Sequence, residues 1–165
     1  ETMNEIIVYH GGTEIVDKPD CRLGRKNLDF GQGFYVTDIR DQAEKWAKNM
    51  SRSRNKSAVL NRYRLDRDAV IKEMHCKIFD AYDVQWLEFI IANRSEREIA
   101  KQYDYVEGGV ANDRVIDTIN LYMAGLMELS TALRELSKHR PNNQMCILNQ
   151  DIIDKYLIYD GTEEL

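Results

Sequence analysis

The chain has 165 residues, of which 43% are hydrophobic and 31% charged, and its formal net charge is −5. Those values fit a single core-forming domain over residues 3–165, with Met3 read as the natural start, and exclude disordered, collagen-like and coiled-coil-only chains. No apolar run approaches the roughly 18 residues of a membrane span, no secretory signal is visible, and the acidic balance lacks the global footprint of a dedicated nucleic-acid binder. Cys21, Cys76 and Cys146 are odd in number and widely spaced, which indicates neither a disulfide framework nor a zinc ribbon and fits a soluble cytoplasmic protein.

Ile6-Ile7-Val8-Tyr9 predicts a buried strand halted at His10-Gly11-Gly12 by residues able to take positive φ. From Thr13 to Gly31 there is no period, and Pro19, Gly24 and Gly31 punctuate a long ordered loop. Gly33 to Thr37 predicts a second strand, with Asp38 as helix N-cap and Asp41 at the third helical position. Ile39, Ala43, Trp46, Ala47 and Met50 then share one face of an amphipathic helix. Ala58 to Leu65 alternates as a third strand, and Val70 to Phe79, which fits neither template well, is read as strand. Tyr82 to Asn93 has helical spacing, and Tyr103 to Glu107 predicts a strand before Gly108-Gly109. Asn112 or Asp113 can cap a helix carrying Val115, Ile119, Tyr122 and Leu126; a second helical period through Leu129, Leu133 and Leu136 stops at Pro141. Gln144 to Leu148 predicts a late strand after an Asn142-Asn143 turn, before a further apolar stretch from Asp151 to Tyr159. The fold class is α+β.

Two segments carry a resemblance: Tyr9-His10-Gly11-Gly12, and Phe30-Gly31-Gln32-Gly33-Phe34-Tyr35-Val36-Thr37 leading into the helix with Trp46. Together they resemble the NAD-binding half of ADP-ribosyltransferases of the diphtheria-toxin and poly(ADP-ribose) polymerase class. Asn143-Gln144-Met145-Cys146-Ile147-Leu148 is similar to that class's glutamate-bearing strand, with Gln144 in place of the acid. The chain is also similar to a bacterial family of unknown function grouped with these transferases. The resemblance implies a split β-sheet core with flanking helices, NAD as substrate, no metal, and a catalytic set of His10, Tyr35 and Gln144. It implies an NAD site made by His10, Gly11, Gly12, Arg25, Gly33, Tyr35 and Trp46. His10 would hydrogen-bond the adenosine ribose, and the Gly11 backbone would hold the nicotinamide carboxamide. Tyr35 would stack on one face of the nicotinamide and Trp46 on the other, unless Trp46 is the core anchor of its helix. Arg22, Arg25 and Lys26 occupy the region of the donor loop, where Arg25 is favoured to meet the pyrophosphate. Ala43 departs from the pattern, standing where the polymerases usually carry a carboxamide-binding serine.

By itself a Gly-x-Gly before an aromatic strand is weak, since a turn is its commoner cause. NAD needs aromatic faces, backbone amides and hydroxyl partners around one cleft, so His10, Tyr35 and Gln144 are expected to line such a cleft from three strands. A glutamine keeps an acceptor oxygen but lacks the negative charge that stabilises the oxocarbenium-like transition state, a loss on the order of 10²–10³ in rate. Polymer synthesis is therefore not expected. The reading is a mono-ADP-ribosyltransferase acting on an unidentified protein or nucleic acid; the resemblance to the bacterial family further implies a toxin paired with a small antitoxin-like protein. The alternative is a silent NAD or ADP-ribose-binding module. A third is an RNA 2′-phosphotransferase using the basic stretch Lys48, Arg52, Arg54, Lys56, Arg62, Arg64 and Arg67, which is otherwise a solvated face. His75-Cys76 and His139 have no partners at metal-ligand spacing. Gly108 to Arg114 either lines the target side of the cleft or is a tight turn with an N-cap.

Overall fold

The computed structural model describes residues 5–140 and 142–165, so the expected start at Met3 and the stop at Pro141 lie outside the described residues. Strand β1 (Ile6–Gly12) leads through a long loop with one 3-10 turn at Cys21–Leu23 into β2 (Phe34–Val36) and helix α1 (Arg40–Arg54). There follow β3 (Val59–Leu65), α2 (Arg67–Glu73), β4 (Cys76–Ile78), α3 (Val84–Arg94), a second 3-10 turn at Ile99–Gln102, and β5 (Tyr105–Gly109). The chain continues as α4 (Asp113–Met123), α5 (Leu129–Leu136), β6 (Asn143–Ile147), α6 (Gln150–Tyr156) and β7 (Leu157–Glu164).

These strands make two sheets of an α+β fold. One is antiparallel in the order β1-β3-β7; the other runs β2-β6-β5-β4, with only the β4–β5 pair parallel. They are tied where Tyr9 and Thr37 exchange backbone hydrogen bonds of 2.8 and 3.0 Å. Period-two alternation explains the layering. Val8, Tyr63 and Leu65 of the first sheet meet Phe34, Val36, Tyr105, Met145 and Ile147 of the second, and Val70, Ile152 and Ile153 of α2 and α6 join that core. On the second sheet's other face, Val106 and Cys146 pack with Trp86, Leu87 and Ile90 of α3, Val115 and Ile119 of α4, and Leu136 of α5.

Several boundaries differ from those expected. The first strand does not stop at Tyr9, because Gly11 and Gly12 pair with Leu60 and Val59. The glycine serves the neighbouring helix instead: a Cβ on Gly11 would lie 1.9 Å from the Ala43 carbonyl oxygen. Helix α1 begins with Ile39 at its N-cap and leaves Asp38 exposed, since the Ile39 N–H donates to Thr37 Oγ1 at 3.1 Å. The segment read as strand from Val70 to Phe79 starts within a helix, nucleated where Asp66 Oδ1 accepts the Ala69 N–H at 3.2 Å, and only Cys76–Ile78 is extended. Strand β5 runs on through Gly108 and Gly109, and Leu126, expected on the α4 face, lies past that helix and is 77% exposed. The last apolar stretch divides into α6 and β7.

Candidate functional site

Strand pairing decides which side chains share a face. Tyr35 opposes Cys146, and Gln144 lies two residues back along β6, so Tyr35, Cys146 and Gln144 look toward α3–α5. His10 follows Val8 on the inner face of β1, and its ring stacks on Phe34 at 4.6 Å between centroids and 28°. It reaches Tyr35 through the backbone: His10 Nδ1 is 2.7 Å from the Tyr35 carbonyl oxygen. The three residues thus come from three strands, but Tyr35 and Gln144 lie on one face and the His10 ring on the Phe34 side, so the strand pairing does not gather the three side chains into the one cleft expected of them.

The His10 contact fixes chemistry. A carbonyl oxygen only accepts, so Nδ1 carries the proton and the neutral ring keeps Nε2 as an acceptor. Burial lowers the His10 pKa from its usual value of 6.5, outweighing the carbonyl, which raises it. Nε2 points past Gly12, where a Cβ would stand 3.7 Å away. Across β3, fully buried Asn61 donates to the carbonyls of His10 (3.3 Å) and Glu14 (3.0 Å) and accepts the Val16 N–H (3.0 Å), fastening the chain just beyond Gly12. Asn61 was legible as a polar residue at a core-facing position of an alternating strand.

Tyr35 is half-buried and committed at its tip. Its hydroxyl donates to the Gly31 carbonyl at 2.6 Å and accepts the Phe30 N–H at 3.0 Å, which clasps the end of the long loop onto the ring. Gly31 permits this turn at φ 87°. Burial first, then Cys146, pushes the Tyr35 phenol well up, and burial pushes the Cys146 thiol up, so both stay protonated at neutral pH. Gln144 is 4% exposed; its Nε2 lies 3.4 Å from the Gly109 carbonyl, which also accepts Trp86 Nε1 at 3.1 Å. Its neighbour is clamped more firmly: the Asn143 carbonyl accepts from Thr37 Oγ1 (2.7 Å) and from buried Gln42 Nε2 (2.9 Å), which joins α1 to the start of β6.

Gly33 allows β6 to approach, because a Cβ there would lie 2.6 Å from Cys146 Sγ. Trp46 is half-buried and belongs to neither core; Ala43 and Ala47 carry the buried face of α1, and the fully buried tryptophan is Trp86. Arg25 and Lys26 are exposed. Arg22 grips Asp20 through two hydrogen bonds of 2.9 and 2.6 Å, and that contact holds the Asp20 carboxyl down at about 2. Much of the basic stretch is matched by acids or hydroxyls: Arg54 with Thr13, Lys56 with Glu14, Arg62 with Asp160, Arg64 with Glu5 and Arg67 with Glu107. No sequence motif marks Glu107. It is 6% exposed, accepts two hydrogen bonds of 2.7 Å from Arg67, and takes a third of 2.5 Å from the Tyr105 hydroxyl. The Gly108 to Arg114 segment contains a side-chain N-cap, Asn112 Oδ1 accepting from Arg114 and Val115 at 3.2 Å.

Among the described residues no three His, Cys, Asp or Glu side chains gather to hold a metal, and no helix is long and apolar enough to cross a membrane. A cavity of about 270 Å³ lies between the long loop, β3, α6 and β7, and one of about 20 Å³ lies beside Lys26, Gly31 and Lys101. Neither is lined by His10, Tyr35 or Gln144.

No curated protein and no solved structure matches the chain. The family model described as "Protein of unknown function (DUF3990)" matches residues 6–159, from the first strand into the last, and the chain belongs to that family.

Proposed function

We propose that this chain is an NAD-dependent mono-ADP-ribosyltransferase with the split-sheet core of that superfamily, moving ADP-ribose to an unidentified macromolecule, protein or nucleic acid. The observation that carries the reading is the junction of the two sheets, where His10 Nδ1 bonds the Tyr35 carbonyl at 2.7 Å and leaves Nε2 as a free acceptor. A ribose hydroxyl is the matching donor. In the reaction the bond between the nicotinamide nitrogen and ribose C1′ breaks, its electron pair leaving with nicotinamide. An acceptor nucleophile then bonds to C1′ and loses its proton.

In this reading His10 Nε2 takes the adenosine ribose, while Gly11 and Gly12 offer backbone groups to the carboxamide. Tyr35 and Trp46 face the nicotinamide, and Arg25 meets the pyrophosphate. Gln144 accepts the 2′-OH of the nicotinamide ribose through its side-chain oxygen. Without a carboxylate the developing positive charge is stabilised by a dipole alone, which makes the chemistry slow and argues for transfer of one ADP-ribose rather than a polymer. Because the Tyr35 hydroxyl holds Gly31 and Phe30, NAD binding goes with release of that clasp. A small antitoxin-like protein as partner and a cytoplasmic setting belong to the same proposal.

One observation favours a second reading, a silent NAD or ADP-ribose-binding module: Gln144 is almost fully buried and its amide already faces the Gly109 carbonyl. The pairing of the basic stretch with acids weakens an RNA 2′-phosphotransferase.

The test is incubation with NAD labelled in its adenine and a cell lysate, followed by separation of protein from nucleic acid and measurement of released nicotinamide. Wild type should label one fraction, Gln144→Ala should not, and Gln144→Glu should release nicotinamide faster. NAD binding without release by either wild type or Gln144→Glu would leave the binding module.

A further inference from the structure

The cavity of about 270 Å³ is lined by aromatic, aliphatic and acidic side chains together. Tyr63, Tyr159, Pro19, Ile153 and Leu157 form its body, and Asp17, Asp154, Lys18 and Gln150 lie at its polar side. Its volume of about 270 Å³ lies just below the range of roughly 300–1,000 Å³ of drug-sized ligand sites. A small head group on a short stem fits it.

Charge narrows the chemistry. Asp17 and Asp154 are both exposed, and among the described residues neither makes an ion pair. The nearby Asp20 and Arg22 neutralise one another, so Lys18 is the lone opposing charge among the lining residues. The Tyr63 hydroxyl donates to the Val16 carbonyl at 2.6 Å, which turns the phenol toward the loop that carries Asp17. Burial, Tyr159 and the Asp17 carboxylate all push the Tyr63 phenol up, so the acid's field reaches the cavity floor. A half-buried aromatic ring and two carboxylates set against a single ammonium together attract a cation and repel phosphate.

The cavity is also built. Gln150 Oε1 accepts the Cys21 N–H at 3.0 Å and its Nε2 donates to the Pro19 carbonyl at 3.0 Å and to Asp154 Oδ1 at 3.3 Å, fixing loop to helix. The Tyr159 and Thr162 hydroxyls lie 2.5 Å apart, and Thr162 donates to Asn61 Oδ1 at 2.6 Å, which joins this wall to the residue that holds His10.

We propose that this cavity binds an organic cation, a guanidinium or primary ammonium on a short aliphatic stem, held between Asp17 and Asp154 against the half-buried Tyr159, behind which Tyr63 is fully buried. The site is distinct from the His10–Tyr35–Gln144 set and stands whether or not the chain uses NAD. The head group could be free or carried on an arginine or lysine side chain, and the test separates these sources.

Agmatine, 1,4-diaminobutane and an N-acetyl-arginine amide are titrated into the full chain and followed by chemical shifts of tyrosine ring signals, with 1,4-butanediol as the neutral control. Saturable shifts of the Tyr159 ring by a cation are expected, weakening as salt rises. Agmatine binding more tightly than the blocked arginine assigns a free ligand, and the reverse assigns a side chain. Asp17→Asn and Asp154→Asn should each weaken binding about two- to fivefold, the range of an exposed ion pair, and about tenfold together. Lys18→Met should tighten it. Both aspartates are exposed, so the variants should keep the wild-type circular dichroism and thermal midpoint. The proposal is overturned if no cation saturates below 10 mM, if butanediol binds as well, or if the folded double variant binds like wild type.

Discussion

Gly11 has two competing explanations, and a pair of substitutions separates them. As part of a nicotinamide site, its bare backbone would admit the carboxamide. In the fold, it admits α1: an alanine Cβ would lie 1.9 Å from the Ala43 carbonyl oxygen and 3.0 Å from the Ala47 nitrogen. Both are helix backbone, so no side-chain rotation relieves the overlap. Restoring even the 3.0 Å below which such contacts essentially never occur requires about 1.1 Å of movement of helix against strand. Overpacking of that kind costs about 1–3 kcal/mol, and a rigid backbone contact belongs at the upper end. Gly11 is not among the positive-φ residues, so alanine also removes unfolded-state freedom, an opposing gain of about 0.4–1 kcal/mol. The net expectation for Gly11→Ala is a loss of about 2 kcal/mol, or ~4–8 °C in thermal midpoint for a chain of this size. Gly12→Ala is the control. Its Cβ would meet only the His10 ring, at 3.7 Å, and its φ is also ordinary, so stability should hold or rise by up to about 1 kcal/mol. Urea unfolding of both variants, with circular dichroism as the signal, gives the comparison. Equal stabilities within 0.5 kcal/mol would refute the packing argument and return Gly11 to the ligand.

Other perturbations report on the remaining features. Glu107→Gln leaves the Arg67 guanidinium without its counter-charge; because that side chain is 30% exposed, the loss should be about 2–3 kcal/mol in urea unfolding, under the 3–5 of a fully buried pair, and Arg67→Met with Glu107→Leu should recover most of it. Burial depresses the His10 pKa, so the unfolded chain binds this proton more readily; His10 therefore makes no pH-dependent contribution above about 6.5 and costs stability as pH falls below it, until the folded pKa is reached. Urea midpoints at pH 7.5 and 5.5 should differ less in His10→Gln than in wild type, and an unchanged difference would remove His10 from the titration. Trp46→Ala should leave stability within about 1 kcal/mol, as it fills neither core, while weakening NAD binding by the ~1–3 kcal/mol of an aromatic stack. Fluorescence titration of the variant reads the second effect, and unchanged affinity takes Trp46 out of the site.

Much of the architecture was readable because its signals are local. The α1 face, the Asn112 cap, the alternation of β3 and the late strand through Gln144 all follow from periods and caps that a few neighbouring residues define. Where the structure departs from the sequence pattern, the deciding contact is distant. Two glycines after an apolar run usually end a strand, but Gly11 continues one because α1, more than thirty residues on, needs its missing Cβ. Val70 to Phe79 is ambiguous in sequence since two short elements meet inside it, and the Asp66 cap that starts the first of them precedes the window. The same division runs through the site. His10, Tyr35 and Gln144 stood out by motif, whereas the groups that hold them are ordinary in sequence and become visible only as polar residues on buried faces.

Those supports bear on how the site could work. Asn61 fixes the carbonyl of His10, Thr37 and Gln42 converge on the carbonyl beside Gln144, and the Tyr35 hydroxyl grips the loop at Gly31. Two of the three anchors lie within or between the sheets and are fully or almost fully buried, so His10 and Gln144 are held by parts of the structure that do not open without unfolding. The third anchor is different. It joins a strand to a long loop with little regular structure, through two hydrogen bonds to one hydroxyl. A net cost of about 0.5–1.5 kcal/mol for each such bond makes its release accessible at ordinary temperature, while rupture of the Asn61 cluster, with four bonds to one buried side chain, is not. Tyr35→Phe removes only the clasp. It should loosen residues 27–33 in hydrogen exchange and leave His10 and Gln144 protected, and equal deprotection of all three segments would mean that loop and sheets open as one unit.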